Sequence, residues 1–135
     1  MSNAAIWPDA MIIGIGVDIV HIPRIKRAVL RWGGRFTSRI FTEDELEYYL
    51  GRKDPYQGLA LCFAAKEACS KALGVGIGKT MGWRDVSITH LASGKPMLNL
   101  TGSAFKISQE LGASLWHVSL SHEAAYGVAM VVAET

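Results

Sequence analysis

Between positions 11 and 20 the chain is a run of Met, Ile and Val that is broken by Gly14 and Gly16 and meets its first acid at Asp18. An apolar run of this length reads as a buried strand ending near Asp18, and glycines inside it mark a place where another backbone packs close. The period then changes. Ile25, Ala28, Val29 and Trp32 recur at helical spacing behind Pro23, which suits a first helical turn, until Gly33-Gly34 stops the run. Thr42-Glu43-Asp44-Glu45 has the form of a capping box and opens a short helix that passes Leu50 and closes at Gly51. Asp54-Pro55 supplies a cap and a first-turn proline for a longer helix reaching Leu73, with Gly74 as its left-handed stop. Beyond a glycine-rich loop, 86–90 and 97–100 read as strands joined by the turn-like Ala92-Ser93-Gly94-Lys95-Pro96. Thr101 reads as the cap of a helix that reaches Leu111 and stops at Gly112, and 115–121 and 125–133 read as two more strands around a turn at His122-Glu123. This pattern predicts an α+β domain, a mostly antiparallel sheet packed with one long helix.

Size and charge narrow the picture. At 135 residues, half of them hydrophobic, the chain suffices for one domain with a real core, taken as 11–135. Residues 1–10 read as a tag remnant or disordered extension, with Met11 as a native start. No apolar run approaches the roughly 20 residues of a membrane-spanning helix, and no signal peptide is evident, so the expected location is cytoplasmic. Cys62 and Cys69 sit seven apart in one helix, too far to bridge, which fits a reducing compartment. The net charge of +2 conceals an uneven distribution. Positions 19–42 hold Arg24, Lys26, Arg27, Arg31, Arg35 and Arg39 and no acid, which leaves eight bases against twelve acids elsewhere. Such a stripe either attracts an acidic partner or is simply a solvated helix face.

Candidate chemistry gathers on the long helix. Glu67 and Lys71 stand four apart in the order that favours a surface ion pair, which by itself means little. Their surroundings are small and apolar, and charged groups in such company need a partner or a function. Asp18 reads equally as a site residue at a strand end or as a turn residue capping the helix behind it. Should Asp18 and Glu67 converge, two carboxylates with water and phosphate oxygens would suit magnesium, and Lys71 could neutralise a phosphate. The segment Gly74-Val75-Gly76-Ile77-Gly78-Lys79-Thr80 is not a P-loop: the glycine required five residues before Gly78 is Leu73, and the loop follows its helix instead of preceding one. His117 and His122 point to opposite strand faces and cannot easily share a metal, whereas His117, Ser119 and Ser121 share one face, either a ligand-facing surface or the outward side of a half-buried strand.

Two motifs, Gly14-Ile15-Gly16-Val17-Asp18-Ile19 and Phe63-Ala64-Ala65-Lys66-Glu67-Ala68-Cys69-Ser70-Lys71-Ala72-Leu73-Gly74-Val75-Gly76, resemble the signatures of the holo-acyl-carrier-protein synthase family of phosphopantetheinyl transferases. Arg39-Ile40-Phe41-Thr42 with Glu45, Gly94-Lys95-Pro96 and the His117-Val118-Ser119 strand add to the resemblance, which runs from about Met11 to Glu134. It implies a Mg2+-dependent transfer of 4′-phosphopantetheine from coenzyme A to a serine of apo-acyl carrier protein, in support of fatty acid biosynthesis. It implies further that Asp18 and Glu67 hold the metal and, with Lys71, carry catalysis. Lys66, Ser70, Lys71, Gly74, Gly76, Gly94, Lys95, Pro96, His117 and Ser119 would bind the coenzyme. A homotrimer with sites between subunits is implied too, as is carrier docking on Arg24, Arg35 and Arg39. The resemblance departs at Cys62, where relatives often carry Arg, so that one cationic contact is expected to be missing or supplied elsewhere. Two other classes are open to the same residues. A non-catalytic module for acidic proteins would explain the stripe but not Asp18 and the Glu67 cluster, and a nucleic-acid-binding domain lacks any recognised motif.

Overall fold

The computed structural model describes residues 10–135, so nearly all of the segment read as a tag remnant or extension lies outside the described residues. Strand β1 (Ile12–His21) pairs antiparallel with β5 (Tyr126–Glu134), which pairs antiparallel with β4 (Leu115–Glu123), giving the order β1-β5-β4. Strands β2 (Val86–His90) and β3 (Pro96–Leu100) form a separate antiparallel hairpin. The helices are α1 (Ile22–Trp32), α2 (Gly34–Ile40), α3 (Glu43–Leu50), α4 (Pro55–Leu73) and α5 (Gly102–Leu111). The expected α+β fold with antiparallel pairing and one long helix is what the chain adopts.

Alternation along the three-stranded sheet separates its faces. Gly16, Asp18 and Val20 of β1 stand opposite Val131, Ala129 and Gly127 of β5. Ala129, Val131 and Ala133 are buried, and this inner face meets α4. The approach is backbone on backbone. A Cβ at Gly14 would lie 2.0 Å from the carbonyl oxygen of Ala72, and one at Gly16 would lie 1.8 Å from that of Ala68. The helix answers with Ala60, Ala64, Ala65, Ala68 and Ala72, all buried, so small residues on both sides let sheet and helix close together.

Local capping follows the sequence at α3 and α4. The amide of Glu45 donates to Thr42 Oγ1 at 3.2 Å and that of Thr42 to Glu45 Oε1 at 2.8 Å, while Asp54 accepts from the amide of Tyr56 and Gly74 closes α4 in the left-handed region. Several expectations need correction. Strand β1 runs on to His21 instead of ending near Asp18, because its pairing with β5 continues to Tyr126. Gly33 ends α1, yet a second helix starts at once at Gly34. Thr101 makes no side-chain cap for α5; Asp85 does that work by accepting from the amide and hydroxyl of Ser103. The last turn falls at Ala124-Ala125, two residues later than expected, with Ala124 at φ 52°.

Candidate active site

Asp18 lies on the inner face of β1, and α4 passes beside it. Lys71 Nζ donates to Asp18 Oδ1 at 3.1 Å and to the carbonyl oxygen of Val17 at 2.9 Å, so the helix is latched to the strand at this point. One turn earlier on α4, the half-buried Glu67 has its carboxyl pushed above the usual carboxylate range, first by burial and then by the negative charge of Asp18. Lys71 and Arg24 act in the opposite direction. Four of the residues singled out in the sequence, Asp18, Glu67, Lys71 and Arg24, are therefore within electrostatic reach of one another. Arg24 also holds its guanidinium over the ring of Phe63, 5.9 Å from the centroid, and Phe63 stacks on Trp83 at 5.0 Å. The α1 arginine thus extends over the α4 face that carries Glu67, since Phe63 and Glu67 are one helical turn apart.

Two expected coenzyme contacts do not join this cluster. Lys66 is wholly buried and its ammonium donates to Glu45 Oε1 (2.7 Å), Val86 O (2.7 Å) and Trp83 O (3.1 Å), which uses all three donors inside the protein. Ser70, also buried, donates its hydroxyl to the carbonyl oxygen of Glu67 at 2.7 Å. Both are held by the core instead of facing a ligand. Cys62 is likewise internal and donates to Glu45 Oε2 at 3.3 Å, so the departure at this position alters the core beside Glu45. Burial pushes the Cys62 thiol well up and raises that of Cys69 to about 12, leaving both as neutral thiols.

The remaining candidates lie in other places. Gly78 sits at φ +86° with its backbone against the Trp83 indole, where a Cβ would come within 3.0 Å of Nε1, so part of the glycine-rich loop is explained by packing; Gly76 is exposed. Gly94 and Lys95 lie in the connection between β2 and β3, Pro96 opens β3, and Gly94 borders a cavity of about 380 Å³ walled by Tyr48, Arg52, Gln57 and His90. Tyr48 and His90 stack there at 4.4 Å with Arg52 over the tyrosine ring, and burial followed by the Arg52 charge lowers the His90 pKa. Neither Asp18 nor Glu67 lines this cavity. His117 and Ser119 stand on the outward face of β4, opposite Val132 and Met130, with His117 Nε2 2.6 Å from Glu134 Oε2. They are two strands away from Asp18 and on the other side of the sheet. Arg35 and Arg39 border a cleft with Trp32 and Phe36. Among the described residues, no arginine of the basic stripe is within ion-pair distance of a carboxylate.

Glu45 is the residue whose importance sequence reasoning understated. It reads as an ordinary capping-box acid, but its buried carboxylate accepts from Thr42, Lys66, Cys62 and the amide of Ile88. Nothing in a linear pattern links position 45 to position 66, 21 residues on.

Comparison with known proteins bears on this arrangement. Residues 14–131 match the family model of the 4′-phosphopantetheinyl transferase superfamily. The chain is 47% identical over 124 residues to the holo-[acyl-carrier-protein] synthase of Geobacter sulfurreducens, covering 92% of this chain and 98% of the relative. It is 43% identical to that of Vibrio cholerae over the same shares. Among solved structures, the holo-[acyl-carrier-protein] synthase of Neisseria meningitidis superposes with a TM-score of 0.84 at 41% identity, covering 93% of this chain and 100% of the other. The Helicobacter pylori synthase in complex with coenzyme A superposes at 0.78 and 35% identity, covering 88% and 98%.

Proposed function

The chain belongs to the holo-[acyl-carrier-protein] synthase family of the 4′-phosphopantetheinyl transferase superfamily, and from that premise we propose that Asp18, Glu67 and Lys71 carry the transfer. The protein transfers the 4′-phosphopantetheine of coenzyme A to apo-acyl carrier protein, giving the holo form. The observation that bears the site reading is the convergence of an inner-face strand carboxylate with a carboxylate and an ammonium of α4, in a fold where most neighbours are alanine or glycine.

Two nearby carboxylates, of which Glu67 is raised first by burial and then by the charge of Asp18, fit a divalent cation better than they fit each other. Among the described residues no third His, Cys, Asp or Glu joins them, which suits magnesium, an ion that keeps water and substrate phosphate in its shell. Bound there by Asp18 and Glu67, magnesium would supply positive charge to offset that of the diphosphate. Lys71 has spent two of its three donors, on Asp18 and Val17, and about half its side chain is exposed, so its third donor is placed to meet a phosphate oxygen. In the reaction the carrier serine oxygen bonds to the β-phosphorus of coenzyme A, the bond to adenosine 3′,5′-bisphosphate breaks, and Glu67 takes the serine proton.

The dispersal of the other candidates supports a site completed between copies. The outward face of the sheet exposes Ile15 (60%), Val17 (53%), Ile19 (68%) and Met130 (48%), neighbouring apolar side chains of the kind that mark an interaction surface. His117 and Ser119 share that face, so a second copy packed on it would cover them. A homotrimer is the assembly we propose, and sedimentation of the purified chain should give three times its mass; a monomer at micromolar concentration would remove this part of the reading. Arg24, Arg35 and Arg39, none of them within ion-pair distance of a carboxylate among the described residues, support docking of the acidic carrier. Two unpaired buried cysteines support a reducing, cytoplasmic setting, and no helix among the described residues is long and apolar enough to cross a membrane. The test of the site is the magnesium-dependent release of adenosine 3′,5′-bisphosphate. Asp18→Asn and Glu67→Gln should each lower its rate by about 10²-fold or more, and either variant turning over at the wild-type rate would overturn the assignment.

A further inference from the structure

Glu45 and Lys66 form a buried ion pair at 2.7 Å with both side chains almost wholly excluded from solvent. Such a pair is weak evidence for stability, because removing two charges from water costs about as much as their attraction returns, and its best-attested use is to fix one arrangement among several. The bonds made here join four segments. Glu45 reaches the start of α3 through Thr42 N and strand β2 through Ile88 N, while Lys66 reaches from α4 to the carbonyls of Trp83 and Val86. Along the seam with the sheet, α4 sets alanines against Gly14 and Gly16 and Leu61 against Gly127, contacts that allow close approach, and the half-exposed Lys71 latches the end of the helix to Asp18 and Val17. The buried pair adds a directional contact on another face of the helix, and the two together fix its rotation. Glu67 is the next residue in the helix, so a given rotation of α4 at Lys66 sets the direction in which Glu67 leaves the axis.

We propose that the Glu45–Lys66 pair is a positioning element for the transfer: it sets the rotation of α4 and thereby the placement of Glu67 against Asp18 on the neighbouring strand. This rests on the reading of Asp18 and Glu67 given above. Lys66, expected from the resemblance to touch the coenzyme, then acts on the reaction from inside the core, through its neighbour.

The test separates position from stability. Glu45→Gln/Lys66→Met replaces the pair with neutral groups of similar size, and Glu45→Asp keeps both charges but shortens the tether by one methylene. Each is assayed as the full chain with coenzyme A, magnesium and apo-carrier protein, well below its own melting temperature, so that only folded molecules are counted. The expected result, in whichever variant stays folded, is a kcat reduced by about tenfold or more with the KM for carrier within about twofold of wild type. A kcat within twofold of wild type, accompanied only by a lower melting temperature, would make the pair purely structural and overturn the inference. Glu67→Gln is run in parallel. If it retains wild-type turnover, the catalytic reading fails; if it is inactive while the pair variants are unimpaired, only the positioning role fails.

Discussion

Two faces of helix α4 carry lysines that serve different ends. On one, Lys66 is wholly buried and commits its ammonium to Glu45 and two carbonyls; on the other, Lys71 is half exposed, latches Asp18 and keeps a donor for solvent or substrate. The first charge holds segments of the fold together, and its loss would strand a buried carboxylate. The second costs little to maintain and is available for chemistry. The difference teaches that, along a helix of alanines, burial and not spacing decides whether a charge is structural or reactive.

The comparison is broken most severely at Glu67, the residue between the two roles. Glu67→Gln should lower kcat by about 10²–10⁴-fold in a steady-state assay while leaving the melting temperature no lower than wild type. Next in size is the contrast of the lysines. Lys66→Met should cost roughly 3–5 kcal/mol in urea unfolding, because Glu45 is left buried and unpaired. Lys71→Met should cost less than about 1 kcal/mol and yet lose most activity. Equal destabilisation by the two would erase the distinction. Smaller again is the effect of the basic stripe: Arg35→Glu should raise the KM for carrier by about tenfold at low salt and by less as salt increases, with kcat little changed.

The smallest effect is one of pH. The Glu67 carboxyl is raised by burial and then by Asp18, so the folded state binds its proton more tightly than the unfolded chain. That state therefore loses stability as pH rises from the ordinary value of 4.5 through the raised one. In the presence of a chelator, Glu67→Gln should melt slightly higher than wild type at neutral pH, and the advantage should vanish below 4.5. An advantage that persisted in acid would mean that Glu67 is not the strained group.

The same burial argument explains what was legible in the sequence. Helix caps at Thr42, Asp54 and Gly74 are local chemistry and stand where the residue types place them. Gly14 and Gly16 announced a close backbone and found one at Ala72 and Ala68. Asp18, Glu67 and Lys71 were visible because an acid on an apolar strand and charges among alanines are conspicuous. Lys66 looked the same as Lys71 on the page, since its partner Glu45 and the carbonyls of Trp83 and Val86 are supplied by tertiary packing. Alternation puts His117 and Ser119 on one strand face, as the register shows, but it cannot say what covers that face, and within one chain it is the side turned from Asp18. Thr101 failed as a cap because Asp85, brought near by the turn ahead of β2, holds the start of α5.

The most direct test of the central claim is the mass of the acceptor. Incubated with coenzyme A, magnesium and apo-acyl carrier protein, the chain should add one phosphopantetheine mass to the carrier, and Glu67→Gln should add none under the same conditions. A carrier left unmodified by the wild-type chain, or one modified equally by the variant, would contradict the account.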